Sequence, residues 1–179
     1  MKMVVFLHRT AIMHAAAAGC ARAERVQQVR DREPSVREFA AYLPAEQVVE
    51  KLRDWHEQGA EIAYLSSHRT GSDVAADETV LERHHFPRGR VLFRGPGESY
   101  GDVIAREPPD ILIEDDCESI GVAELAYRQI SEDVRRRVKS IVVPEFGGFS
   151  HLPDSLPELA ALASGAPQTT PSGCGHHNG

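Results

Sequence analysis

The sequence predicts one α/β domain in three layers, with helices on both faces of a parallel sheet. Short apolar runs alternate along the chain with longer amphipathic stretches, the order expected of consecutive β–α–β units. Runs such as Met3-Val4-Val5-Phe6-Leu7 and Ile111-Leu112-Ile113 are continuous rather than alternating, as strands covered on both faces are. Three of these runs open into loops rich in His, Ser and acids, after Leu7, Leu65 and Ile113. The carboxyl ends of parallel strands are where such sheets bind ligands. With 179 residues, 41% of them hydrophobic, the chain is long enough to bury a sizeable core.

Met3 to Leu7 supplies the first strand. Residues Ala15 to Ala41 are rich in Ala, Arg and Glu, with Val26, Val29, Val36 and Phe39 near helical intervals. Pro34 removes a donor there and splits the segment into two helical pieces. Pro44 is expected to open an amphipathic helix carrying Val48, Val49, Leu52 and Trp55 on one face, with Gly59 as its stop. Glu61 to Leu65 reads as the second strand and Ser72 to His85 as a helix ended by Pro87. Arg90 to Phe93 is the third strand, Ser99 to Arg106 a short helix, and Ile111 to Ile113 the fourth strand. Ser140 to Val143 is the fifth, stopped by Pro144. Residues 1–163 form the domain; 164–179, rich in Gly, Ser, Pro and Thr, are expected to be a flexible tail.

A formal charge of −7 argues against broad binding to nucleic acid or an anionic membrane. Arg135-Arg136-Arg137 reads as a solvated helix face. The three cysteines share no repeated spacing, which excludes a disulfide framework, and the N-terminal apolar run is too short for a signal peptide. The expectation is a soluble, cytoplasmic protein whose partner is a small molecule.

Glu114, Asp115 and Asp116 are adjacent carboxylates at a strand end, and their mutual repulsion calls for a cation or for hydrogen-bond donors. Mg²⁺ is the hard cation such oxygens suit; the alternative is that they cap the following helix. Cys117 beside them reads as a packed, inert thiol. No pair of histidines has helical metal-ligand spacing; the best candidates for a His-bound metal are His8, His14 and His68, whereas His176-His177 belongs to the tail.

Pro109-Asp110-Ile111-Leu112-Ile113-Glu114-Asp115-Asp116 resembles the last motif of haloacid-dehalogenase-like (HAD) phosphohydrolases. Ile62-Ala63-Tyr64-Leu65-Ser66-Ser67 resembles their second. The likeness covers about residues 2 to 155 and is greatest to a bacterial and archaeal group of small HAD proteins, which share Val143-Pro144-Glu145-Phe146-Gly147-Gly148 and His151-Leu152-Pro153. It implies a three-layer α/β/α Rossmann-like HAD domain with a small helical cap at about 15–41. It also implies phosphate binding at Ser66 and Mg²⁺ on Asp115 and Asp116. Two motifs depart from the family. Its Asp-x-Asp pair, nucleophile and general acid, falls on Leu7 and Arg9, or in a shifted register on Phe6 and His8; neither holds a carboxylate. Its Lys falls on Gly101, with Arg90, Arg94 and Arg106 nearby. Leu cannot attack phosphorus and Arg cannot act as a base.

The expected catalytic residues are therefore His8, Arg9, Ser66, Asp115 and Asp116, with Arg9 paired to Asp115 or Asp116 in place of the cation. Ser67, His68, Arg69, His14, Arg22 and Arg25 are the expected substrate contacts, the two arginines reaching down from the cap. The function expected is non-hydrolytic acid–base chemistry on a small polar or anionic substrate. A catalytically dead pseudo-phosphatase that binds a ligand or protein is the first alternative, and residual phosphohydrolase activity the second.

Overall fold

The computed structural model describes residues 1–162; the expected tail, 164–179, lies outside the described residues. Five strands form one parallel sheet: β1 (Lys2–Phe6), β4 (Glu61–Leu65), β5 (Val91–Leu92), β6 (Ile111–Asp115) and β7 (Lys139–Val143), in the order β5-β4-β1-β6-β7. The central strand β1 pairs Val5 with Tyr64 on one side and with Ile113 on the other.

Side chains alternate across these strands, which divides the core in two. Met3, Val5, Leu7, Ile111 and Ile113 face one layer, with Leu52 and Trp55 of α2 (Val48–Glu57), Val80 of α3 (Gly71–Arg83) and Leu159 of α7 (Leu156–Leu162). Val4, Phe6 and Leu112 face the other, against Val103 and Ile104 of α4 (Tyr100–Arg106), Ala126 of α5 (Ala126–Gln129) and Val134 of α6 (Glu132–Arg135). The continuous apolar runs thus mark a sheet covered on both faces, as the sequence implied. No helix among the described residues is long and apolar enough to cross a membrane.

Three boundaries differ from expectation. Pro44 does not open α2 but lies in β3 (Leu43–Pro44), which pairs antiparallel with β2 (Ile12–Met13). Two strand residues are too short a signal for hydrophobic periodicity to reveal. This ribbon closes the base of segment 14–42, which contains α1 (Arg22–Arg30) and 3-10 turns at Ala15–Ala17, Pro34–Arg37 and Phe39–Ala41. Second, α2 starts only at Val48, after Gln47 in the left-handed region at φ 55°. Third, β6 runs on through Glu114 and Asp115. Those acids are strand residues, so their side chains leave in opposite directions.

With β1 between β4 and β6, the loops following these three strands are neighbours at the carboxyl edge of the sheet. The chain winds outward on either side of β1, the arrangement that creates a crevice at this edge.

Candidate functional site

Two polar clusters lie at the carboxyl edge, one on each side of the end of β1. His8 and Thr10 turn toward them, while Leu7, fully buried, belongs to the apolar core. His8 and Thr10 thus reach the loops from positions two residues apart, and Arg9 between them also reaches the acidic cluster. The bend responsible is tight: Ala11 and Ile12 donate backbone bonds to the Leu7 carbonyl, and Arg9 has φ 69°.

The acidic cluster joins Asp115, Asp116 and Glu145. Thr10 Oγ1 donates to Asp115 Oδ2 at 2.7 Å, and the Cys117 amide donates to Oδ1 at 2.9 Å. Asp116 Oδ1 accepts from the amides of Glu118 and Glu145 at 3.3 and 3.1 Å, and Oδ2 faces Arg22 Nη2 at 3.4 Å. Glu145 takes the Ser119 amide at 2.6 Å on Oε2 and the Ser119 hydroxyl on Oε1. Arg9 therefore does not pair with Asp115 or Asp116 as expected: its Nε lies 3.2 Å from Glu145 Oε1. Glu145, absent from the sequence-derived site, is fully buried. Burial raises its pKa, while Ser119 and Arg9 act in the opposite sense.

One oxygen from each of these three acids could meet at a common ion. All six oxygens already have a protein donor or cation, and Arg9 and Arg22 supply positive charge. As arranged, the cluster does not fit Mg²⁺. Glu114 takes the capping role instead: its oxygens accept the amides of Ala126 and Tyr127 at 2.6 and 3.0 Å, at the start of α5. Burial, outweighing those two donors, pushes its carboxyl up to about 7. The Cys117 thiol is raised strongly, first by burial and then by Asp115, in keeping with an inert packed sulfur.

The second cluster is His8, Ser66, Ser67, His68 and Asp77. His8 Nε2 lies 3.2 Å from Asp77 Oδ1, and its Nδ1 is 2.9 Å from the Ser67 hydroxyl. His68 Nε2 lies 3.6 Å from the same Asp77 oxygen. Ser66 Oγ donates to Asp77 Oδ2 at 2.6 Å and accepts the His68 amide at 3.0 Å. Ser66, fully buried, thus spends its hydroxyl on positioning Asp77. The His68 pKa is lowered, by burial first and then by His8. Phe39 and Tyr42 wall the cluster from the cap side, with Phe39 4.2 Å from the His68 ring centre and Tyr42 5.6 Å from that of His8.

Sequence reasoning missed Asp77, although a signal was present. It falls on the apolar stripe of α3 with Val74, Val80 and Leu81, all buried. A lone acid on a core-facing stripe is either costly or functional.

The remaining expected contacts divide. Arg22 bridges from the cap to Asp116 and Glu118. Arg25 instead ties the cap down, donating to the carbonyls of Cys20 and Phe146. His14 is buried against Phe146 with Nε2 2.8 Å from Gln28 Oε1, a packing role rather than a ligand contact. Arg69 is exposed on the loop before α3. Of the three nearby arginines, Arg94 reaches this edge, stacking on Tyr100 and donating to the Ser67 carbonyl at 3.3 Å. Arg90 and Arg106 pair with Glu107 and Glu98. Gly101 has a steric reason: a Cβ there would lie 1.9 Å from the Gln129 carbonyl oxygen. No side chain, least of all a lysine, fits where α4 meets the end of α5.

No protein-family model matches the sequence, and no curated protein matches it either. Among solved structures, it is similar to a chain of the Pnkp1/Rnl/Hen1 complex, with TM-score 0.52 and 14% identity over 80% of this chain and 46% of that one. It thus spans about half the length of that neighbour. It is also similar to a class C acid phosphatase from Bacillus anthracis solved with tungstate bound, with TM-score 0.50 and 16% identity over 82% of this chain and 68% of the other. At these identities the likeness is one of fold: the α/β arrangement of this chain is shared with that acid phosphatase.

Proposed function

We propose that this is a HAD-like protein that has lost aspartyl-phosphate hydrolysis and performs acid–base chemistry on a small polar or anionic substrate, centred on His8. The observation that carries the reading is the His8 ring held between buried Asp77 and the half-exposed Ser67 hydroxyl, at 3.2 and 2.9 Å. A carboxylate behind an imidazole orients the ring; a hydroxyl in front is where a proton can be exchanged. Neither His8 nor Thr10 can form the acyl-phosphate that the HAD reaction requires. Arg94 and Arg22 supply positive charge around the edge for an anionic substrate.

Purified protein should show no Mg²⁺-dependent turnover of generic phosphomonoesters. A thermal-shift screen of small carboxylates, sugars and amines should yield a ligand whose conversion can be followed by NMR. His8→Asn should cut that conversion by about 10²–10⁴-fold, the usual contribution of a general acid or base. Phosphomonoester turnover that survives Leu7→Ala but not Asp115→Asn would overturn the reading, as would full activity in His8→Asn.

A pseudo-phosphatase that binds without turnover is favoured by a different observation. The cavity between Arg9, Tyr100 and Asp115 holds about 20 Å³, the room of a water molecule rather than a substrate. Phe39 and Tyr42 pack against the His8 ring, so under the enzymatic reading segment 14–42 must lift to admit a ligand there. A ligand that binds with no change in amide exchange across 14–42 would support the binding role instead.

A further inference from the structure

We propose that His8 Nε2, His68 Nε2 and Asp77 Oδ1 are a three-ligand site for a divalent transition-metal ion such as Zn²⁺, Co²⁺ or Fe²⁺. The proposal rests on the reading above for location and deepens it by naming a cofactor for the same cluster, with His8 as a ligand and a metal-bound water as the acid–base group in its place.

The first ground is convergence without pairing. All three atoms are buried and none makes a hydrogen bond, although they approach to 3.2 and 3.6 Å. Neither ring N–H is aligned on the carboxylate oxygen well enough to form a hydrogen bond. The three atoms lie within 4.8 Å of one another. Ligands about 2.1 Å from an ion, at angles of about 100–120°, stand roughly 3.2–3.6 Å apart. The two separations from Asp77 Oδ1, 3.2 and 3.6 Å, fall in that range.

The second ground is support. Ser66 fixes Asp77 through Oδ2, leaving Oδ1 free to face the rings. Ser67 holds His8 at Nδ1: its hydroxyl lies 2.9 Å away and its amide donates to the same nitrogen at 3.4 Å. Metal binding through Nε2 calls for the tautomer with Nδ1–H, donated to that hydroxyl in place of the long amide bond. Metal-bound imidazoles and carboxylates are held by outer partners of this kind. The His8 and His68 rings meet edge to face, 79° apart at 4.6 Å, so each can present its nitrogen from a different direction.

The third ground is charge. Asp77 is fully buried, and among the described residues its one hydrogen-bond partner is the Ser66 hydroxyl. An ionised carboxylate so placed needs a cation nearby. Two imidazoles and one carboxylate select a first-row transition ion over Mg²⁺, which prefers an all-oxygen shell. With three protein ligands, the remaining positions are open to water, and a metal-bound water is an acid–base group at neutral pH.

The test reads metal, not turnover. Full-length protein carrying His176→Ala and His177→Ala, which removes the histidine pair near the C-terminus, is freed of metal by chelation and titrated with Co²⁺. We expect one equivalent to bind with visible d–d absorption, and two paramagnetically shifted ring N–H signals. Zn²⁺ should displace it. His68→Ala, Asp77→Asn and the milder Ser66→Ala should each weaken binding by at least about 10-fold, whereas Asp116→Asn should not change it. No Co²⁺ uptake, or uptake without shifted imidazole signals in this protein, overturns the site even if a variant fails to fold. Turnover by the chelated protein would sink the metal while leaving acid–base chemistry at His8 standing.

Discussion

Glu114 offers a sharp thermodynamic test, because two opposed effects meet on one carboxyl. It is 2% exposed and accepts two amide bonds at the start of α5. Donors at a helix N-terminus favour the ionised form, whereas burial and neighbouring Asp115 oppose it. Burial prevails, and the folded-state pKa rises from an ordinary 4.5 to about 7. The sign follows directly. Native protein holds the proton more tightly than unfolded protein, so stability is fullest below pH 4.5 and falls as pH rises to about 7. Above that it no longer changes on account of this group. The rise from 4.5 to about 7 corresponds to about 3 kcal/mol.

Gln cannot ionise, so Glu114→Gln removes that dependence, at the expense of one amide acceptor worth about 1–2 kcal/mol. The variant should therefore be less stable than wild type near pH 5 and comparable or more stable at pH 8. The difference between them should move by about 3 kcal/mol across the interval. Urea unfolding of both proteins at pH 5, 6, 7 and 8 measures it, and the other titrating groups cancel in the difference. A difference constant within about 0.5 kcal/mol would refute the argument. A trend of opposite sign would show that the two amides outweigh burial.

The other expectations concern charge and packing. Removing Arg9 leaves Glu145, fully buried, without its cation, so Arg9→Ala should lose about 3–5 kcal/mol. Mg²⁺ should restore part of that loss in the variant while leaving the wild-type melting temperature unchanged; an equal shift in both would refute the compensation. Gly101→Ala puts a Cβ into the Gln129 carbonyl and should cost about 1–3 kcal/mol, about 2–12 °C in melting temperature for a chain of this size. A loss under about 0.5 kcal/mol would mean that α4 and α5 shift apart freely. Arg22→Ala breaks half-exposed pairs with Asp116 and Glu118 and should change stability by less than about 1 kcal/mol. Hydrogen exchange across 14–42 should nonetheless speed up, and an unchanged exchange rate would show that this bridge does not hold the cap.

The layered parallel sheet was legible in the sequence because it follows from local patterning. Continuous apolar runs separated by amphipathic stretches have few other ways to bury their surface, and β1, β4, β6 and β7 lie within a residue or two of where those runs stand. The chain also declared which strand ends carry polar loops, and that positions 7 and 9 hold no carboxylate. What it did not declare depended on direction and distance. Glu114 and Asp115 are neighbours in sequence but part company because β6 continues through them, one to cap α5 and the other to meet Thr10. The bend after Phe6 turns His8 and Thr10 toward the two clusters and leaves Leu7 in the core, while Arg9 between them reaches Glu145. Glu145 and Asp77 join the two clusters from loops and helices 137 and 69 residues away from His8 along the chain, and no local pattern links such positions. Periodicity determines which face of each element is buried; only the packed sheet decides which polar groups, brought together from separate elements, must satisfy one another there.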